Sequence, residues 1–320
     1  MVRAGRRVSG PPMTKRSLPW FLGLLAACGG STSGAGGDDT GGPDAAAGSG
    51  SGSATRDGGI INSATPTIPT PTGTCPTLAN GDVTFAPAGM APRKVKLNLP
   101  DHAAPGQLLF YWYATGSGTF ESAYSLGSTL SAITAAGGTV ATPYADASAG
   151  QFEWFIVNQS PKQDDFLLAD EVVACLSQAG YVDPNHIHAM GMSAGALQTT
   201  AFSFIRASYV ASVATYSGGI PPQFMPVDQD PANKFAALIF DGGATDDVFG
   251  VDFQAASKAY KAKLDADGHF TAICDHGKGH DIPLDAAPSV AAFFTANGWG
   301  AWPSPYASGL PSTFPSYCSL

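Results

Sequence analysis

The chain contains the stretch Gly191-Met192-Ser193-Ala194-Gly195, which fits the pattern Gly-x-Ser-x-Gly. In that pattern a serine stands on a sharp turn between a strand and a helix, with its hydroxyl exposed. The flanks agree, because residues 186–190 suit a short buried strand and residues 194–202 can form a helix. The pattern therefore predicts a nucleophilic serine. The alternative, in a chain with 39 glycines, is an ordinary glycine-rich turn.

Strand and helix patterns alternate on both sides of this turn. The first strand alternates polar and apolar residues, as a half-buried edge strand does, and the second is a continuous apolar run that suits a central strand. Such alternation predicts an α/β fold with a mostly parallel central sheet, helices on both faces and an active site at the carboxyl ends of the strands. Strands are predicted near 93–99, 107–113, 139–142, 186–190, 211–216, 236–240 and 270–274, and helices near 126–136, 165–179, 194–202, 255–266 and 286–296.

The N-terminal quarter differs in composition from the rest. Residues 1–27 join basic residues to a short apolar run, which predicts a signal peptide rather than a spanning helix; Met13 is an alternative start. The end of that run, Leu25-Ala26-Ala27-Cys28, resembles the lipobox of bacterial lipoproteins and implies lipidation of Cys28; the alternative is an ordinary signal with an incidental cysteine. Residues 28–74 are rich in Gly, Ser and Pro, which predicts a disordered linker.

Composition and charge limit the remaining possibilities. The 44% hydrophobic content supports a sizeable core, and we expect one catalytic domain over residues 75–302 followed by a C-terminal tail, 303–320. The formal charge is −9, and five of the 16 basic residues precede Cys28, so the exported chain is more acidic still. This acidity argues against nucleic acid as a partner. The expected location is the bacterial cell envelope, through a lipid anchor, or the exterior. The sequence leaves the oligomeric state open.

Four further cysteines follow Cys28, namely Cys75, Cys175, Cys274 and Cys318. An even number in an exported chain predicts disulfides, for which three pairings exist. We favour Cys75 with Cys318, because they bracket the folded region. Cys175 with Cys274 is then the second pair, with two buried thiols as the alternative.

A serine hydroxyl needs a base to take its proton and an acid to orient that base. In this architecture the chain order is Ser, then Asp or Glu, then His. Asp246 and Asp247 follow the predicted strand 236–240 through a glycine turn, and His276 and His280 follow the strand 270–274. Both segments lie where the order requires them.

Several motifs together resemble the secreted esterase branch of the α/β-hydrolases that contains polyhydroxybutyrate depolymerases and feruloyl esterases. The resemblance covers about residues 92–299 and implies an α/β-hydrolase fold that needs no metal or organic cofactor. The motifs are Gln163-Asp164-Asp165-Phe166, the run from Val182-Asp183-Pro184-Asn185 through Ser193 to Ala196, the Gly-Gly-x-x-Asp turn that ends at Asp246, and Gly279-His280 followed by a proline.

Carried over to this sequence, the resemblance makes Ser193 the nucleophile, Asp246 the acid and His280 the base. Asp247 is the alternative acid and His276 the alternative base. The implied activity is hydrolysis of a carboxylic ester, either a polyester or a plant cell-wall ester. The alternatives are a binding protein on an impaired hydrolase fold, and peptidase or acyltransferase chemistry on the same triad.

One segment departs from the family. A His-Gly pair commonly follows the central strand there and helps to bind the tetrahedral oxyanion, whereas here Tyr113 leads into Ala114-Thr115-Gly116-Ser117-Gly118. The N–H of Ala194 is the expected second donor. The first donor is left open within this loop, with Thr115 as our candidate.

Other residues carry weaker hypotheses. Trp112, Tyr113 and Trp154 are candidates for a substrate pocket, with core packing as the alternative. His186 and His188 lie on one strand face, where they could bind a metal. We favour the alternative, that they are packed or surface residues. Asp164 and Asp165 are expected to cap their helix.

Overall fold

The computed structural model describes residues 65–222 and 234–320, which belong to one compact unit. The predicted signal peptide, Cys28 and most of the predicted linker lie outside the described residues. None of the described helices is both long and apolar enough to cross a membrane. The strands are β1 (Gly81–Phe85), β2 (Arg93–Asn98), β3 (Gly106–Trp112), β4 (Thr139–Pro143), β5 (Val182–Met192), β6 (Ser212–Tyr216), β7 (Ala236–Asp241), β8 (Asp247–Val248), β9 (Val251–Asp252), β10 (Phe270–Asp275) and β11 (Cys318–Ser319). The helices are α1 (Glu121–Leu126), α2 (Ser128–Ala135), α3 (Asp164–Gln178), α4 (Ala194–Ile205), α5 (Phe253–Ala266) and α6 (Ala287–Ala296).

One large sheet organises the unit, with the strand order β1-β2-β4-β3-β5-β6-β7-β10-β11. The strands from β4 to β10 in that order are parallel, and the antiparallel pairs lie toward the two edges. Every residue of β4, β6 and β7 is buried, as expected for parallel strands covered on both faces. Helix α4 packs against β3, β5 and β6, α5 packs against β7 and β10, and α1, α2 and α6 contact one another. The predicted α/β class with a mostly parallel sheet is confirmed.

The predicted strands and helices all form, with bounds shifted by a few residues. One assignment is wrong, because β2 is not at the edge: β1 pairs with residues 93–97 of it. The sequence prediction also missed α1, the small β8-β9 hairpin and β11. These elements have two to six residues, too few to show a hydrophobic period.

The folded unit begins before the predicted boundary at residue 75. The backbone N–H of Thr67 donates to the carbonyl of Ser208 at 2.8 Å. The buried Glu171 carboxylate of α3 accepts from the N–H of Thr72 at 2.7 Å and from the N–H of Gly73 at 2.9 Å. The predicted linker therefore ends in an ordered segment. Composition did not reveal this, because hydrogen bonds to one buried carboxylate fix Thr72 and Gly73.

Both disulfides differ from the favoured pairing. Cys75 bonds Cys175, with Cα atoms 5.4 Å apart, and Cys274 bonds Cys318, with Cα atoms 3.9 Å apart. Cys75 and Cys318 therefore belong to different disulfides. The N-terminal segment lies against α3, which carries Cys175, and the tail 303–320 returns to the sheet, where β11 pairs with β10 and places Cys318 opposite Cys274. Two disulfides are typical of exported proteins.

Candidate active site

Ser193 stands alone between the end of β5 and the start of α4. Its backbone has φ 55° and ψ −119°, a strained conformation for a residue with a side chain. Two backbone hydrogen bonds of 2.9 Å hold it there: its N–H donates to the carbonyl of Tyr216, and its carbonyl accepts from Leu197. The predicted sharp strand-to-helix turn is therefore present.

The glycines of the motif allow close approach between the turn and the neighbouring strand. A Cβ on Gly195 would collide with the carbonyl groups of Trp112 and Tyr113, and one on Gly191 would collide with that of Trp112. Both glycines are required because β3 runs directly past the turn.

Asp246 follows β7 at the end of a short 3₁₀ turn, Gly243–Thr245, and is buried. Its Oδ2 accepts from the N–H of Gly242 and from the hydroxyl of Ser217, each at 2.8 Å. Its Oδ1 lies 2.7 Å from Nδ1 of His280. Burial alone would raise the pKa of the Asp246 carboxyl, but the hydrogen bonds from His280, Gly242 and Ser217 outweigh it and hold that pKa below its ordinary value. The carboxylate is therefore ionised at neutral pH.

The loop that carries His280 follows β10 and lies against the loop that carries Asp246. The N–H of Gly279 donates to the carbonyl of Gly242 at 2.9 Å. A Cβ on Gly242 would collide with the backbone of Gly279. The ring of Phe253 lies 4.7 Å from that of His280, centroid to centroid. Backbone contacts thus fix the acid and the imidazole relative to each other.

The two alternative residues are placed differently. Asp247 is the first residue of β8 and is exposed. It lies opposite Asp252 of β9 in the antiparallel hairpin. His276 is buried, and burial lowers the pKa of its imidazole. The structure joins Asp246 to His280, and neither Asp247 nor His276 makes an equivalent Asp–His bond among the described residues.

A pocket of about 230 Å³ lies beside Ser193. Ser193, Ala194 and Thr115 line it together, so the serine and both candidate oxyanion donors share one cavity. No side chain that lines this pocket among the described residues carries a charge. The other lining residues are Phe152, Val157, Gln159, Leu197, Pro221, Val248, Phe249, Val251 and Phe253.

Backbone strain is concentrated around this pocket. Non-glycine residues with positive φ are uncommon, and at functional sites such strain is held by the surrounding structure. Ser193, Gln159 and Phe249 line the pocket, Ser217 donates to Asp246, and Glu153 accepts from Gly116 in the loop after β3. These are all the non-glycine residues with positive φ in the described part of the chain.

Solved structures share this arrangement of strands. The native structure of pOPH superposes with a TM-score of 0.60 at 14% identity and covers 77% of this chain and 95% of that one. Native sOPH superposes with a TM-score of 0.59 at 15% identity, and the match covers 79% of this chain and 96% of that one. A thermostable esterase superposes with a TM-score of 0.52 at 13% identity, and the match covers 68% of this chain and 62% of that one. The chain has an α/β-hydrolase fold. No protein-family model and no curated protein matches the sequence. Identities this low show the fold alone.

Within the α/β-hydrolase fold, the three predicted pocket aromatics belong to the core. Trp112 and Trp154 are fully buried, and Tyr113 nearly so. The indole N–H of Trp154 donates to the carbonyl of Tyr113 at 2.9 Å, and the Tyr113 hydroxyl accepts from the N–H of Ala145 at 2.7 Å. Among the described residues, the aromatic rings that line the pocket are instead those of Phe152, Phe249 and Phe253. Phe249 and Phe253 follow Asp246 closely in sequence, and this nearness to the candidate acid was the sequence signal for them.

The two strand histidines contact other protein groups. His188 is buried, with Nδ1 2.8 Å from the hydroxyl of Ser212 and its ring stacked on Phe294. Nδ1 of His186 lies 2.8 Å from Asp183. In the described part of the chain, the group with the spacing of metal ligands is Cys75, Glu171 and Cys175, whose two sulfurs are joined as a disulfide.

The prediction that Asp164 and Asp165 cap α3 is also wrong. Gln163 stands at the N-cap, without a side-chain cap. Asp165 is buried, pairs with Arg93 and accepts from the N–H of Phe155 at 2.8 Å. This carboxylate supports the interior rather than the helix end.

Proposed function

We propose that the protein is a serine hydrolase of carboxylic esters, with Ser193 as nucleophile, His280 as base and Asp246 as acid. The observation that carries the proposal is the 2.7 Å bond between Asp246 and Nδ1 of His280, on loops that follow β7 and β10. That bond leaves Nε2 of the imidazole as the nitrogen available to the serine hydroxyl.

In the proposed reaction, Oγ of Ser193 attacks the ester carbonyl while Nε2 of His280 takes its proton. Asp246 fixes the tautomer of the imidazole and stabilises its cation. The N–H groups of Ala194 and Thr115 bind the tetrahedral oxyanion, and the N-terminus of α4 adds a favourable dipole. His280 then protonates the leaving alcohol, and water releases the acyl group from Ser193 with His280 as base.

The pocket favours an uncharged, largely apolar acyl group. Among the described residues, its lining supplies no cation to pair with a carboxylate, so a charge on the acyl group would be unpaired there. A polyester or a plant cell-wall ester is the substrate class that the sequence resemblance suggests, and the thermostable esterase is one of the similar structures.

The acyl preference is testable with a matched pair of substrates. We expect purified protein to hydrolyse p-nitrophenyl butyrate, and kcat/KM for p-nitrophenyl hemisuccinate to be at least about tenfold lower, since an unpaired charge in an apolar pocket costs more than ~1.4 kcal/mol. Release of p-nitrophenol is the readout. Equal or faster turnover of the charged ester would contradict the assignment of this pocket to the acyl group. Inertness toward a full range of ester classes would favour a binding protein on this fold.

We further propose that the exported protein is lipid-anchored through Cys28, with the segment before Thr67 as its tether. The proposal rests on the lipobox resemblance and on the disulfides. Cys28→Ser is expected to move the protein from the membrane fraction to the soluble fraction, because one residue carries the lipid. Fractionation followed by immunoblotting measures this, with Cys75→Ala as the matched cysteine control. An unchanged distribution of the Cys28→Ser variant would contradict the anchor.

A further inference from the structure

The loop after β3 is held by a buried carboxylate at the start of α1. Glu121 is 5% exposed and pairs with no Lys, Arg or His among the described residues. Its Oε1 accepts from the Tyr111 hydroxyl at 3.1 Å, and its two oxygens lie 3.1 and 3.2 Å from the N–H of Ala114. Burial raises the pKa of the Glu121 carboxyl, while the hydrogen bonds from Ser117, Ala114 and Tyr111 oppose that rise. The carboxylate is therefore hydrogen-bonded by Tyr111 of β3 and by the Ala114 N–H of the loop.

Two other side chains form hydrogen bonds with backbone groups of Tyr113 and Gly116 near Ala114. The N–H of Gly116 donates to Oε1 of Glu153 at 2.9 Å, and the carbonyl of Tyr113 accepts from Trp154. The N–H groups of Ala114 and Gly116 are thus both bonded to carboxylates. The N–H of Thr115, between them, has no acceptor in the ranges that the structure covers. Thr115 lines the pocket with Ser193.

We infer that Glu121 is a positioning residue, whose carboxylate fixes the Ala114 N–H and thereby directs the Thr115 N–H toward the oxyanion formed at Ser193. The inference rests on the proposed function, because it needs an acyl-transfer reaction at Ser193. It explains how a loop without the His-Gly pair of the resembling family still presents a preorganised donor.

The charge of Glu121 and the position of the loop have opposite expected effects on the rate. A negative charge beside the loop opposes the negative charge that develops on the substrate oxygen. Neutralising Glu121 without moving the loop would therefore favour the transition state. A loss of rate on neutralisation can come only from displacement of the loop, so the sign of the effect separates charge from geometry.

Glu121→Gln is the first test. The amide retains one carbonyl oxygen but places an NH₂ group toward the N–H of Ala114, and two donors that face each other will displace the loop. We expect kcat for p-nitrophenyl butyrate to fall about 10- to 100-fold with KM little changed, less than the ~10²–10³ lost when a whole oxyanion donor is removed. Affinity for an alkyl boronic acid, whose adduct with Ser193 places an oxygen in the oxyanion site, should fall in parallel.

Glu171→Gln is the matched control. Glu171 is also buried and also accepts backbone N–H groups, from Thr72 and Gly73, outside the pocket. The same chemical change there should lower the melting temperature and leave kcat and boronic acid affinity unchanged.

Glu121→Asp keeps the charge but withdraws the carboxylate by one methylene, and should also lower kcat. If Glu121→Gln does not fold, this variant tests the positioning role of Glu121. Unchanged or increased kcat in a folded Glu121 variant, beside an active wild type, would overturn the positioning role alone. An inert wild type with no boronic acid binding would instead contradict the proposed function.

Discussion

Ser193→Ala is expected to lower kcat for p-nitrophenyl butyrate by about 10⁶, the size of effect seen when a serine nucleophile is removed from a triad. The remaining groups can bind the ester and its oxyanion, but no hydroxyl is left for His280 to activate. Ser193 lines the pocket at a strained turn fixed by Tyr216 and Leu197. Alanine retains the Cβ and these backbone bonds, so the fold and substrate binding should persist while chemistry is lost.

Ser203→Ala is the matched control for this experiment. Ser203 is buried in the same helix, α4, and its hydroxyl bonds Tyr260 and the carbonyl of Thr200, away from the pocket. Its removal should lower stability and leave kcat unchanged. If Ser193→Ala retains more than a few per cent of wild-type activity, where about 10⁻⁶ is expected, another nucleophile performs the reaction. If wild type and variant are equally inert, the chain is not an ester hydrolase.

The sequence predicted those parts of the site that depend on local patterns. Gly191 and Gly195 mark the turn because only glycine fits against Trp112, and that requirement is visible as a motif. Asp246 and His280 follow apolar strands, and the carboxyl ends of parallel strands meet at one edge of the sheet. The chain order of the site was thus predictable without knowledge of any contact.

The residues that the sequence did not predict depend on long-range placement. Cys75 pairs with Cys175 because the N-terminal segment lies along α3, which no local pattern encodes. Phe152 reaches the pocket from an irregular loop and Phe249 from the turn of the β8-β9 hairpin, where hydrophobic periodicity gives no signal. Glu121 belongs to α1, which the sequence prediction missed, and only its burial beside the loop after β3 reveals its partners.

The second large effect concerns the acid. Asp246→Asn is expected to lower kcat by about 10⁴, as the equivalent change does in other triads. The hydrogen-bond donors around Asp246 determine how the asparagine amide is oriented. Gly242 and Ser217 both donate to Oδ2, so the single carbonyl oxygen of asparagine will face them and its NH₂ will face Nδ1 of His280. Nδ1 must then accept, the imidazole proton moves to Nε2, and Nε2 can no longer take the proton of Ser193.

Asp247→Asn provides the comparison, because it makes the same change one residue away on an exposed side chain. Steady-state kinetics with p-nitrophenyl butyrate should show kcat for this variant close to wild type, and thermal melting should show both variants folded. The Asp246 variant should lose kcat with little change in KM, since the acid acts on the imidazole and not on the substrate. A larger loss at Asp247 would assign the acid there, and would require the loop after β7 to rearrange during catalysis, because the 2.7 Å bond to His280 belongs to Asp246.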